Sequence, residues 1–236
     1  MLEVKNISKK YPGSANYAIE NINLIINEGD IYGFIGPNGS GKSTTIKSIV
    51  GIHNFEGEIT FNGLSIKENP LKFKSDLAYI PDNPVLYEHL TGIEYVNFIL
   101  NIFGIKENKK EEIEKLAEMF SLGNKILDSI SSYSHGMKQK ISLIAALAHK
   151  PKLLILDEPF VGLDPKATFE LKELLKKKCE EEGLIVFFSS HVLDVVEKFC
   201  NKIAIIKNGK IIESGDTQVI KGEGTLEDKF MEIFND

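Results

Sequence analysis

The run Gly36-Pro37-Asn38-Gly39-Ser40-Gly41-Lys42-Ser43 matches the pattern G-x-x-x-x-G-K-[ST] in full. It lies between an apolar, strand-like run, Ile31 to Ile35, and a helix-like one, Thr44 to Val50. A strand passing straight into a helix through such a loop is the setting in which this motif holds phosphates. The glycines let the backbone curl so that successive N–H groups point inward at oxyanions. A helix starting near Lys42 adds the positive end of its dipole at the same place. Lys42 is then placed to reach the β- and γ-phosphates, and the Ser43 hydroxyl to ligate Mg²⁺. A glycine-rich turn carrying a lysine by chance would need neither flank, and both are present. The loop therefore predicts a nucleoside triphosphate site in an α/β fold.

The remaining chain is consistent with that class. Its 236 residues suit one large domain or two small lobes, and 42% hydrophobic with 26% charged residues is ordinary for a globular protein. A net charge of −6 argues against a nucleic-acid partner. The two cysteines, Cys179 and Cys200, have no metal-type spacing and read as reduced, half-buried side chains of an intracellular protein. Met1 to Asn6 carries an acid and lacks the apolar core of a signal peptide. No apolar stretch approaches the roughly 18 residues of a membrane span, so a membrane role would have to come through a partner.

Periodicity divides the chain. Ile22, Leu24 and Ile26 alternate as a strand, and Gly57 to Phe61 reads as another, ending in the turn Asn62-Gly63. From about Pro84 to Lys150 the pattern becomes helical, with a capping box at Thr91 and Glu94 and a charged helix from Lys109 to Phe120. Then Leu153 to Leu156, Ile185 to Phe188 and Ile203 to Ile206 form all-apolar strands around a helix from Lys166 to Glu182. Buried apolar strands alternating with helices predict a mostly parallel sheet. The expected organisation is an α/β core (1–83 and 151–221), a helical insert (84–150) and a tail (222–236) in which Leu226, Phe230 and Ile233 keep helical spacing.

The apolar strand Leu153 to Leu156 runs directly into Asp157-Glu158-Pro159. That places two carboxylates at the carboxyl end of a core strand, where open α/β sheets bind ligands. Asp157 is positioned for Mg²⁺, and Glu158 to accept a hydrogen bond from an attacking water.

With these residues in order, the chain resembles the ATP-binding-cassette (ABC) ATPases over nearly its whole length. Gly36 to Thr44 is similar to their phosphate loop and Leu153 to Glu158 to their acidic strand. Tyr133-Ser134-His135-Gly136-Met137 is similar to their signature Leu-Ser-Gly-Gly-Gln, with His135 and Met137 as departures. Gly162-Leu163-Asp164-Pro165 resembles the loop that communicates across their dimer, and Ser189-Ser190-His191 their switch histidine. The fold implied is a phosphate-loop α/β core with an N-terminal antiparallel β-subdomain and an inserted helical subdomain.

The resemblance also implies roles. Gly36, Pro37, Asn38, Gly39, Ser40, Gly41, Lys42, Ser43 and Thr44 would hold the triphosphate of ATP, and Ser43 and Asp157 the Mg²⁺. Glu158 would act on water and His191 would sense the γ-phosphate. Ser134 and Gly136 would contact the γ-phosphate held by a second subunit, with Asp164 beside them; alone, Ser134 reads more simply as a helix N-cap. Tyr11 would stack on adenine; alone, it reads as an edge packing residue. Asp82 stands where the family usually has a glutamine that meets Mg²⁺ and water, and its charge adds repulsion toward phosphate. The segment Pro84 to Leu90 suits either a groove for a partner's helix or ordinary core.

The implied activity is ATP hydrolysis driving a membrane transporter, by a homodimer or heterodimer of such subunits beneath a separate transmembrane permease, on the cytoplasmic face of the membrane and without nucleic acid. The alternative is a soluble ABC-type ATPase acting on a cytosolic assembly such as an iron–sulfur scaffold. A regulatory module that binds ATP without turnover is disfavoured by Glu158 and His191.

Overall fold

A computed structural model describes residues 1–235, so that Asp236, the last residue of the expected tail, lies outside the described residues. The chain starts with an antiparallel pair, β1 (Leu2–Lys9) and β2 (Ile19–Ile26), in which Leu2 lies opposite Ile26 and Val4 opposite Leu24. After β3 (Ile31–Ile35) and α1 (Lys42–Ile49), β4 (Glu56–Phe61) adds to the other side of β1. It turns into the short β5 (Leu64–Ser65). Asn62 and Gly63, with φ of 49° and 77°, make that turn, since a two-residue hairpin loop of this type needs positive φ at both positions. This sheet has the order β2-β1-β4-β5.

The larger sheet adds β6 (Leu77–Ile80), which follows the short α2 (Pro70–Ser75). Next come the helices α3 (Gly92–Ile102), α4 (Lys110–Met119) and α5 (His135–Ala148), and then β7 (Leu153–Asp157). After α6 (Pro165–Glu182), β8 (Ile185–Ser190) and α7 (Leu193–Phe199), the sheet is completed by β9 (Lys202–Lys207) and β10 (Lys210–Asp216). Its order is β10-β9-β3-β8-β7-β6, parallel throughout except for the β10 edge. The order jumps across the chain, so the carboxyl ends of β3, β6, β7 and β8 all emerge on one edge. This edge is where the phosphate loop and both acids arise.

Alternate residues of each central strand feed two separate cores. Leu154, Leu156, Val186, Phe188, Ile203 and Ile205 join the buried faces of α5 to α7. Tyr32, Phe34, Ile155, Phe187 and Ile206 join α1 and the antiparallel sheet. Burying each such side chain contributes about 1.5–3 kcal/mol, which makes these strands the rigid part of the molecule.

The helical segment starts as the sequence predicts. Glu94 N–H donates to Thr91 Oγ1 at 3.3 Å and Thr91 N–H to Glu94 Oε2 at 2.8 Å. Residues 139–148 of α5 are all buried, and its face joins the insert and the core in one continuous apolar cluster. The division at residues 84 and 150 is therefore our reading of the chain, with no gap in packing behind it. α8 (Thr217–Lys221) leads to α9 (Leu226–Asn235), whose Leu226 is buried against the same cluster.

One expectation needs correction. Cys179 and Cys200 are buried rather than half-buried, and that burial pushes the Cys179 thiol up to about 12. The strand β6 is an addition to that reading: its four residues are too few to show a period, and its parallel pairing with β7 defines it.

Candidate active site

The phosphate loop is shaped by close approach. A Cβ at Gly36 would fall 2.4 Å from Ile206 O and 2.7 Å from Ser40 Oγ, so only glycine lets the loop press against β9. Gly41 has a φ of 112° as it caps α1, a conformation closed to other residues. The β9–β10 turn supports the loop from behind, with Gly209 N–H donating to Ser40 O at 2.8 Å. Lys42 folds over the loop and donates to Gly36 O at 2.7 Å and Pro37 O at 3.3 Å. Burial pulls its ammonium pKa down, while Glu158 and Asp157 nearby act to raise it. The Ser40 hydroxyl is buried and has no partner among the described residues. This curled backbone, with a lysine over it and an unpaired hydroxyl, fits an oxyanion.

The acids stand next to it. Asp157 is 3% exposed at the end of β7. Ser189, at the neighbouring position on β8, donates its hydroxyl to Asp157 Oδ1 at 2.5 Å and accepts from Glu158 N–H at 3.1 Å. Glu158 has a φ of 52°, a left-handed conformation costing about 1–2 kcal/mol in a non-glycine residue. That strain turns its carboxylate off the strand, and Oε1 meets His191 Nδ1 at 2.9 Å. Lys42, Asp157, Glu158 and His191 thus come together at the strand ends.

Tyr11 reaches the same edge from the loop between β1 and β2. Its hydroxyl lies 3.3 Å from Thr44 Oγ1 and 3.1 Å from His53 Nε2. Asp82 lies in the loop after β6; it is exposed, and its Oδ1 accepts from Asn83 N–H at 2.9 Å. The positions of the exposed Ser43 hydroxyl and the Asp157 carboxylate offer hard oxygen donors. Mg²⁺ needs little more when nucleotide phosphates supply the rest of its shell.

Ser134 and Gly136 belong to a second group. Ser134 caps α5, its Oγ accepting from Met137 N–H at 3.3 Å. Gly136 packs on the Gly162 loop so closely that a Cβ would lie 2.4 Å from Gly162 O, and a Cβ at Gly162 would lie 2.9 Å from the His135 ring. Asp164 caps α6 by accepting from Ala167 N–H at 2.9 Å. It also accepts from Lys140 Nζ at 2.5 Å, and that bond is the main cause holding its carboxyl below the usual range. The sequence reading missed Lys140, which looked like one more helix lysine, and missed His53, which belongs to no motif.

Three comparisons bear on this arrangement. Residues 19–161 match the pattern of the family described as ABC transporter. The chain is 32% identical over 240 residues to the ABC-type transporter ATP-binding protein EcsA of Bacillus subtilis, covering 99% of this chain and 96% of that one. It superimposes on an ATP-binding subunit of an ABC transporter with a TM-score of 0.93 at 33% identity, covering 99% of both chains. It also superimposes on an ATP-binding cassette dimer in a post-hydrolysis state, bound to ADP and Pi, with a TM-score of 0.82 at 27% identity and coverage of 92% and 99%. With the expected sheet, phosphate loop and acidic strand end all in place, the chain belongs to the ABC transporter ATP-binding family and is an ATPase of that family.

Proposed function

We propose that this chain is the ATP-hydrolysing subunit of a membrane transporter, working as a head-to-tail pair of cassettes on the cytoplasmic side of a separate permease. The observation carrying the permease reading is an apolar cavity of about 690 Å³ that opens beside the Asp82 loop. Pro84, Val85, Leu86, Ile99 and Ile102 line it, with Val85 92% and Leu71 86% exposed at its rim. An open apolar groove of this kind suits an amphipathic helix from a partner. No helix among the described residues is long and apolar enough to cross a membrane. A permease helix seated there would lie next to the loop that leads to the site.

Within the site, Gly36 to Thr44 cradle the triphosphate, and Lys42 neutralises its outer charge. Tyr11 stacks on the adenine. Ser43 and Asp157 would hold Mg²⁺, with Asp82 a further candidate donor, and the ion would supply charge neutralisation on phosphate oxygens. Glu158 accepts the proton of the attacking water, and His191, bonded to it, reports the γ-phosphate. Ser134 and Gly136 close on the γ-phosphate of the opposite subunit, and Asp164 holds the loop beside them. The signature group supports this half-site reading, because Gly136 packs on the Gly162 loop while Ser134, at the N-terminus of α5, stays exposed.

Two measurements test this reading. Glu158→Gln should keep ATP affinity while lowering kcat at least ~10²-fold, the range for losing a positioned base; near-normal turnover removes Glu158 from the role. Affinity capture from gently solubilised membranes should recover a multi-span protein that changes the ATPase rate, and Val85→Asp should abolish its binding. Recovery of soluble assemblies alone would point to a cytosolic ABC ATPase.

A further inference from the structure

His53 reaches the nucleotide edge by a backbone device at the end of α1. Gly51, with a φ of 70°, reverses the chain, and the N–H groups of Ile52 and His53 both donate to Lys47 O at 2.8 and 3.1 Å. The half-buried imidazole is thereby returned alongside its own helix to the Tyr11 hydroxyl. The two rings are perpendicular, at 88° with centroids 5.5 Å apart. Lys9 Nζ lies over the Tyr11 ring, 5.5 Å from its centroid. Tyr11 sits on an exposed loop and is itself 38% exposed. An aromatic platform on such a loop loses rotamer freedom when a base stacks on it, unless something orders it beforehand. Burial first, then Lys47 and Lys9, lowers the His53 pKa, favouring a neutral ring that can pair with a phenol.

We propose that His53 is a positioning residue for the nucleoside: bonded to the Tyr11 hydroxyl, it holds the Tyr11 ring as a preformed platform and sets affinity for the base without touching the phosphates. This rests on the reading that Tyr11 stacks on adenine. His53→Phe keeps a ring in place but loses the hydrogen bond, and His53→Gln keeps a side chain that can bond. The probes are ATP and inorganic tripolyphosphate, which offers the phosphates without a base.

His53→Phe is expected to raise the KM for ATP about three- to tenfold with kcat within about twofold, the pattern of lost uniform binding. His53→Gln should recover most of that loss, and the inhibition constant of tripolyphosphate should stay constant. Tyr11→Phe with His53→Phe should be no worse than Tyr11→Phe alone, because the loss of the Tyr11 hydroxyl already removes the bond to His53. An unchanged KM in His53→Phe, with a raised KM in Tyr11→Ala, overturns the role of His53 and leaves the stacking intact. An unchanged KM in Tyr11→Ala overturns the stacking itself. A tripolyphosphate constant that rises in step with KM places the effect on the phosphate loop through Thr44 and also overturns the proposal.

Discussion

The phosphate loop and the signature group each depend on a glycine under the same crowding, yet they are supported differently. At Gly36 and at Gly136 a Cβ would come within 2.4 Å of a carbonyl oxygen. Behind Gly36 stands β9, with Ile206 fully buried, so the cradle is braced by core packing. Behind Gly136 stands the Gly162 loop, where Val161 is 48% exposed. That loop is tied down by the pair Lys140–Asp164, whose carboxylate is 47% exposed. A half-exposed pair contributes about 1 kcal/mol at most, far less than buried strands. The phosphate loop is complete within one chain and rigid. The signature group is an outward-facing surface on a softer support, which suits a part that must close on something outside the chain.

The sharpest way to break this contrast is to fill both gaps. Gly36→Ala should weaken ATP binding to the single chain by ~10²-fold or more, since displacing a binding group by an ångström costs that much. Gly136→Ala should leave single-chain ATP affinity unchanged and lower turnover ~10²-fold. Calorimetric titration beside steady-state ATPase separates them, and equal loss of affinity in both would end the distinction. A smaller effect is expected at the support: Lys140→Met should lower kcat about five- to tenfold at unchanged KM, with Lys140→Arg close to wild type. If Lys140→Arg is as poor as Lys140→Met, the ion pair is not what holds Asp164.

The smallest effect concerns neither group. His149 lines the groove, stacked on Phe103 with centroids 3.7 Å apart, its Nε2 3.0 Å from Ser75 O. Burial is the main cause lowering its pKa from the ordinary 6.5, against the opposing pull of Ser75 and Asp76. Above pH 6.5 the ring is neutral both folded and unfolded. Below it the unfolded chain takes up the proton first, so stability falls as pH drops from 6.5 toward the folded value. Denaturation midpoints should show a slope of at most about 1.4 kcal/mol per pH unit from this group. His149→Phe should flatten it, and an unchanged slope would assign the acid sensitivity elsewhere.

How much of the site was legible depended on how far along the chain its parts lie. The phosphate loop could be read because strand, glycines, lysine and helix are contiguous, and so could Asp157 and Glu158 at the end of an apolar run. Ser189 as the tie between those acids could not, since 32 residues separate it from Asp157 and only the parallel register of β7 and β8 makes them neighbours. The left-handed Glu158 was equally hidden, because its backbone conformation is imposed by the packed strands around it. His53 and Lys140 carried no signal because each acts through one long-range bond.

By itself the sequence determined the chemistry available to this protein: a phosphate cradle, two acids on a strand end, a capped signature helix and their order, all encoded in local backbone preference and apolar period. Only the tertiary structure decided which of these groups meet. The crossed strand order gathers the phosphate loop, Asp157, Glu158 and His191 on one edge and leaves Ser134 and Gly136 on the Gly162 loop. That choice is made by pairings between distant strands, whose energy lies in burying two cores at once and is invisible to any short stretch of residues.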